Sequence, residues 1–164
     1  MKTHIGILGP HTTTSEQDQL GREVGQQIAK ANAILFCGGL DGMMRAAAEG
    51  AKSAGGQTVG ILPGTDKSAA NEFIDIAIPT DLGAYRNALL VRSCDAVIAI
   101  HGAYGTLSEI AFALRLKVPV VGLRTWEVRR NGEPDPGIHV AHTAEEAVAL
   151  ALKLGREKRV VRKG

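Results

Sequence analysis

Short apolar runs alternate along this chain with stretches in which apolar residues recur every three or four positions. "HIGILG" (4–9) has the length and β-branched content of a buried strand, and residues 15–32 follow with Leu20, Val24 and Ile28 on one helical face. The beat repeats. "AILF" predicts a second strand and 41–54 a second helix; "QTVGIL" predicts a third strand, closed by "PGT". "IDIAI" (74–78) is a fourth strand, with a helix from about Leu82 to Ser93. "AVIAI" is a fifth, with a helix from Thr106 to about Leu116. "VPVVGL" and a short "GIHV" precede a final helix starting near Thr143. In the one long irregular stretch, "RTWEVRRNGEPDPG", Pro134 and Pro136 argue against regular pairing, so it reads as a surface loop rather than a flap.

Alternation of this kind predicts an α/β fold: a Rossmann-like three-layer αβα sandwich around a mainly parallel sheet. Strands such as "AVIAI" are apolar on both faces, as burial between two helix layers requires. Ligands in such folds bind beyond the carboxyl ends of the strands, so the loops after the strands are the candidate site. The 164 residues fit one domain, drawn at 1–155, with a basic tail "GREKRVVRKG" whose last residues, 156–164, read as a solvated end.

Composition changes this picture little. Hydrophobic residues at 45% and charged residues at 22% describe a globular chain, and the excess among its 20 glycines is expected in the loops between apolar runs. A net charge of +2 builds no field for nucleic acid. Cys37 and Cys94 have no paired spacing and read as small, reduced, buried residues; no run has transmembrane length or the form of a signal peptide. A cytoplasmic, non-membrane protein is expected. The five histidines show no metal-ligand spacing.

Four loops start at Gly9, Gly38, Pro63 and His101. "GPHTTTSEQD" offers hydroxyls and amides to a phosphate, or simply an N-cap at Ser15. "CGGLDGMM" places Gly38, Gly39 and Gly42 where close backbone approach is useful, but it meets neither the dinucleotide fingerprint nor a Walker motif. In that loop Met43 and Met44 read as packing, and Arg45 faces either ligand or solvent. In the third loop, Asp66 and Lys67 read as a polar turn. The fourth, "IHGAYGTLSEI", brackets a turn with Gly102 and Gly105 before a helix whose first amides suit an anion. Spacing alone makes Thr106 and Glu109 a capping box, a form repeated by Thr143 and Glu146.

Taken together, "CGGLDGMM", "GAYRNALLVRSCDAVIAI" and "HGAYGTLSE" resemble the Lonely Guy family and its relatives, whose pattern is GGxxGxM, a helical arginine, then PGGxGTxxE. The resemblance spans about Ile5 to Leu123 and fits more loosely beyond. It implies that Arg86 and Glu109 match the pair that cleaves the N-glycosidic bond of cytokinin nucleoside 5′-monophosphates, a hydrolysis needing no cofactor. It also implies a ligand edge of Gly9, Gly38, Gly39, Gly42, Met43, His101, Gly102, Ala103, Tyr104, Gly105 and Thr106, and a homodimer or homotetramer. Three positions depart from the enzymes: His101 for proline, Ala103 for glycine, and Asn87 for lysine after the arginine. "RN" and "VGILPGTD" look closer to the molybdenum-cofactor-carrier branch, which implies binding of a phosphate-bearing pterin, with no hydrolysis established. Two functions stand: a binder of molybdenum cofactor or nucleotide, which the departures favour, and a phosphoribohydrolase working through Arg86 and Glu109. At Ala103 a β-carbon threatens close ligand approach, and strain if φ is positive. His101 is either a phosphate donor or proton carrier, or a strand-end histidine in water.

Overall fold

The computed structural model describes residues 1–161. Seven parallel strands form one sheet in the order β4-β3-β2-β1-β5-β6-β9. They are β1 (His4–Leu8), β2 (Ile34–Cys37), β3 (Gln57–Leu62), β4 (Ile76–Pro79), β5 (Ala96–Ile100), β6 (Val120–Leu123) and β9 (Ile138–Ala141). Helices α1 (Ser15–Lys30), α2 (Met43–Ser53) and α5 (Ala144–Val161) cover one face, and α3 (Arg86–Arg92) and α4 (Tyr104–Arg115) the other. The expected αβα sandwich is present. Of the basic tail, residues 156–161 continue α5, and Lys158 donates to the Cys94 carbonyl at 3.1 Å; residues 162–164 lie outside the described residues.

The strands sort their side chains by parity. Ile5, Ile7, Cys37, Ile98, Ile100 and Leu123 enter the core under α1, α2 and α5. Leu8, Phe36, Val97, Ala99 and Val120 enter the core under α3 and α4. Because successive strand residues point to opposite faces, a fully apolar strand is the pattern a two-sided sheet requires. On the first face α1 and α2 cross closely: a β-carbon at Gly25 would stand 2.0 Å from the Ala47 carbonyl oxygen, and one at Gly50 2.0 Å from that of Arg22.

Several local expectations are corrected. The cap of α1 is Thr14, not Ser15: its hydroxyl accepts from the Gln17 amide at 3.3 Å, and the Gln17 side chain accepts from the Thr14 amide at 3.0 Å. The helix after β4 is split into a 3-10 turn, Gly83–Tyr85, and the short α3. The irregular stretch contains a two-strand hairpin, β7 (Arg129–Arg130) with β8 (Glu133–Pro134). Asn131 and Gly132 turn it with φ of 54° and 85°, the asparagine-glycine signal for a tight hairpin. Pro134 is tolerated because a two-strand ribbon leaves its outer side unpaired.

Candidate functional site

Strand order reverses between β1 and β5: the chain moves outward through β2, β3 and β4, returns to β5, and continues on the other side to β6 and β9. Loops after β1 and β5 therefore diverge and leave a crevice at the carboxyl edge. A cleft of about 250 Å³ lies there, walled by Gly9, Pro10 and His11 after β1, Leu40 and Met44 beside α2, Arg86 and Asn87 on α3, and Ala103, Gly105, Thr106 and Glu109 on α4.

Helix α4 begins two residues before its predicted start, and that displacement reassigns its polar residues. Ala103 is the N-cap, with φ −110° and ψ −167° and no side-chain cap. The Leu107 amide, donating to the Ala103 carbonyl at 3.1 Å, is the first to find a helical partner. The amides of Tyr104, Gly105 and Thr106 are thus the orphan donors of a helix amino end. Thr106 is inside the helix rather than capping it. The residue is 2% exposed, and its hydroxyl is buried and unpartnered among the described residues. The Thr106–Glu109 capping box is therefore not formed, whereas the same spacing at Thr143 does cap, its hydroxyl accepting from the Glu146 amide at 3.1 Å.

Glu109 instead faces Arg86, with Nη1 to Oε1 at 3.5 Å; the two residues are 7% and 8% exposed. Burial pushes the Glu109 carboxyl up to about 7, with Arg86 opposing. Burial likewise pulls Arg86 below the ordinary arginine value, against the pull of Glu109. At 3.5 Å the pair is too long to offset the desolvation of either charge. Arg86 Nη1 also donates to Asn87 Oδ1 at 2.7 Å, while its Nε is buried without a partner among the described residues. Asn87, read from sequence only as a departure, orients the guanidinium. Gly38 makes room for it: a β-carbon there would lie 2.4 Å from Arg86 Nη2.

At Ala103 the feared backbone penalty is absent, since its φ is extended. Positive φ falls on His101 (51°) and Gly102 (135°) instead. His101 is half-buried, and burial, then Arg124, lowers its pKa. The His101 amide donates to the Leu123 carbonyl at 3.2 Å, and the His101 carbonyl accepts from the Thr125 hydroxyl. The Trp126 indole N–H donates to the Ala103 carbonyl at 3.2 Å. The loop after β6 thus ties down the turn after β5. This loop, Arg124 to Glu127, also walls a second cavity of about 530 Å³ with Pro10, Thr12, Gln17, His101, Gly102 and Ala103. Arg124 to Glu127 open the stretch expected to be a plain surface loop rather than a flap; their position directly after a parallel strand is the signal that places them at the ligand edge.

The other expected residues divide between packing and open surface. Met43 is fully buried, Gly39 packs on Leu62 and Gly60, and Gly42 packs on the backbone of His11 and Pro10. Tyr104 is 81% exposed, its ring centroid 5.7 Å from that of Trp126. The Pro63 loop turns to structure: Asp66 accepts from the Ser68 amide at 2.8 Å, and the Pro63 carbonyl accepts from the Gly83 amide at 2.9 Å. Arg45 pairs with Glu72 beside the Phe73 ring. Cys37 and Cys94 are buried, and burial raises both thiols, Cys37 to about 11. Among the described residues, no group of three or more histidine, cysteine, aspartate or glutamate side chains is placed to hold a metal, and no helix is long and apolar enough to cross a membrane.

Residues 2–153 match the SLOG cluster4 family. A cytokinin riboside 5′-monophosphate phosphoribohydrolase from Mycobacterium tuberculosis is 31% identical, over 92% of each chain. Among solved structures, the molybdenum cofactor binding protein of Rippkaea orientalis superposes with a TM-score of 0.83 at 34% identity, covering 94% of this chain and 98% of its own. The Moco carrier protein of Chlamydomonas reinhardtii does so with a TM-score of 0.84 at 36% identity, covering 96% and 99%.

Proposed function

The chain belongs to the SLOG cluster4 family, and from that premise we propose that it binds a phosphate-bearing, nucleotide-like small molecule in the manner of a molybdenum cofactor carrier. The observation that carries this reading is the uncapped amino end of α4, with the unpartnered Thr106 hydroxyl and Arg86 Nε buried beside it. Three orphan amides and a helix dipole favour an anion, a phosphate accepts from all of them at once, and Arg86 adds a permanent cation. Buried polar groups without partners are costly unless a ligand supplies the missing contacts. The phosphate is therefore held by α4, with Gly102 and Gly105 leaving the backbone open to it. Support from relatives comes from the two molybdenum-cofactor proteins at 34% and 36% identity.

A second reading, nucleoside 5′-monophosphate phosphoribohydrolase, is favoured by one feature: Glu109, held near neutrality beside Arg86. A carboxylate there can stabilise oxocarbenium-like charge on ribose and orient the attacking water. The mycobacterial relative carries that activity in its name. Incubation with AMP and the other nucleoside monophosphates, followed by chromatography for free base, decides between them. We expect binding without base release. Release that disappears in Glu109→Ala overturns the binder.

Assembly as a homodimer or homotetramer belongs to the same proposal. Its support is apolar surface on consecutive elements: Ile76 and Ile78 on the edge strand β4, Leu82 and Tyr85 around the 3-10 turn, and Leu89 on α3 are all exposed.

A further inference from the structure

The phosphate-binding reading leaves open where the rest of the ligand goes, and two cavities meet at the phosphate turn. Both touch Pro10 and Ala103, but Glu109 walls only the inner one and Trp126 only the outer. The inner cleft, about 250 Å³, falls below the usual range for a site that encloses a whole small ligand, whereas the outer cavity of about 530 Å³ falls within it.

We propose that the planar ring of the ligand lies against Trp126 in the outer cavity, across the phosphate turn from Glu109. Tyr104, at the first position of α4, is 81% exposed. The Trp126 ring lies 5.7 Å away, tilted by 33°. Its orientation is set by the 3.2 Å bond from its indole N–H to the Ala103 carbonyl, so the aromatic surface is pre-organised and registered to the turn. Flat nitrogen heterocycles stack on such surfaces. On the same wall Gln17, whose Oε1 accepts from the Thr14 amide, keeps its NH2 group for the ring edge, and Glu127, whose Oε1 pairs with Arg129 at 2.6 Å, keeps Oε2. The class that fits is a phosphate-bearing fused heterocycle with a donor-rich edge, a pterin or guanine type, whose 2-amino-4-oxo pyrimidine face suits a carboxylate acceptor. In this pose the bond from ring to sugar or side chain lies away from the Glu109 carboxylate, so binding is expected to proceed without cleavage.

This inference rests on the phosphate reading, and ribose 5-phosphate, which has no ring, separates the two. Trp126 is the single tryptophan of the chain, so its emission reports on the outer cavity. The experiment titrates GMP and ribose 5-phosphate into the wild-type protein and Glu127→Ala, following fluorescence and calorimetry. GMP is expected to quench wild-type emission saturably while ribose 5-phosphate binds without quenching. E127A should weaken GMP about tenfold and leave ribose 5-phosphate within about twofold. Wild-type binding of GMP with no quenching, or equal losses for both probes in E127A, overturns the ring seat and leaves the phosphate site standing. If ribose 5-phosphate does not bind the wild-type protein, the phosphate reading falls and the ring seat with it.

Discussion

Glu109 is a carboxyl whose solvation decides its state. It is buried against Arg86 at a distance that returns only part of the lost hydration, and its pKa rises from the ordinary 4.5 to about 7. A folded-state value above the unfolded one means that the protonated form is favoured on folding. That stabilisation is complete below about pH 4.5 and is lost as pH rises through about 7. Glu109→Gln mimics the protonated carboxyl at every pH. It should therefore exceed wild type by roughly 3 kcal/mol at pH 8 and match it at pH 4. Urea denaturation at the two pH values measures this; an E109Q protein weaker than wild type at pH 8 would mean that the Arg86 pair outweighs burial.

At the scale of elements, α4 carries an uncapped start where stability alone would favour a cap. Ala103 already has the extended backbone of an N-cap, so a side-chain acceptor is all that is missing. Ala103→Asp should raise stability by about 1 kcal/mol by accepting from the orphan amides. It should also abolish binding of ribose 5-phosphate, because the new carboxylate occupies the anion position. Thermal melts and calorimetry on one preparation check both signs; an A103D protein that still binds the probe places the phosphate elsewhere. The α1–α2 crossing makes the opposite demand, for absence of a side chain. In Gly25→Ala the new β-carbon meets the Ala47 carbonyl oxygen at 2.0 Å and the Ala51 amide nitrogen at 2.7 Å, both backbone atoms that cannot rotate away. The helices must separate, at a cost of about 3 kcal/mol or more. The melting temperature is expected to fall by about 10 °C.

For the whole molecule, the carboxyl edge of the sheet gathers what the chain scatters. The turns after β1, β5 and β6 converge on α4, and α3 brings Arg86 from a separate stretch. The flank around β4 and the outer side of α3 exposes apolar side chains that solvent alone does not explain. Ile78→Lys combined with Leu89→Lys should convert the expected homo-oligomer to monomer without loss of helical circular dichroism, as read by light scattering behind size exclusion. An unchanged mass would place the interface on another face.

The sequence by itself determined the order of strands and helices, the two-sided burial of the sheet and the family resemblance, because side-chain periodicity records how many faces each element buries. Arg86 and Glu109 were legible as a pair through that resemblance. What only tertiary structure decided was how each polar residue is used. Thr106–Glu109 and Thr143–Glu146 share one spacing, yet only the second acts as a cap, since the start of α4 is set by the turn that β6 ties down and not by its own residues. The positive φ fell on His101 rather than Ala103 for the same reason. Trp126 reaches the turn after β5 because β6 pairs with β5 in parallel, which puts the loops after both strands side by side. Spacing along a chain carries local geometry, and no local signal encodes which distant strand end will lie beside it.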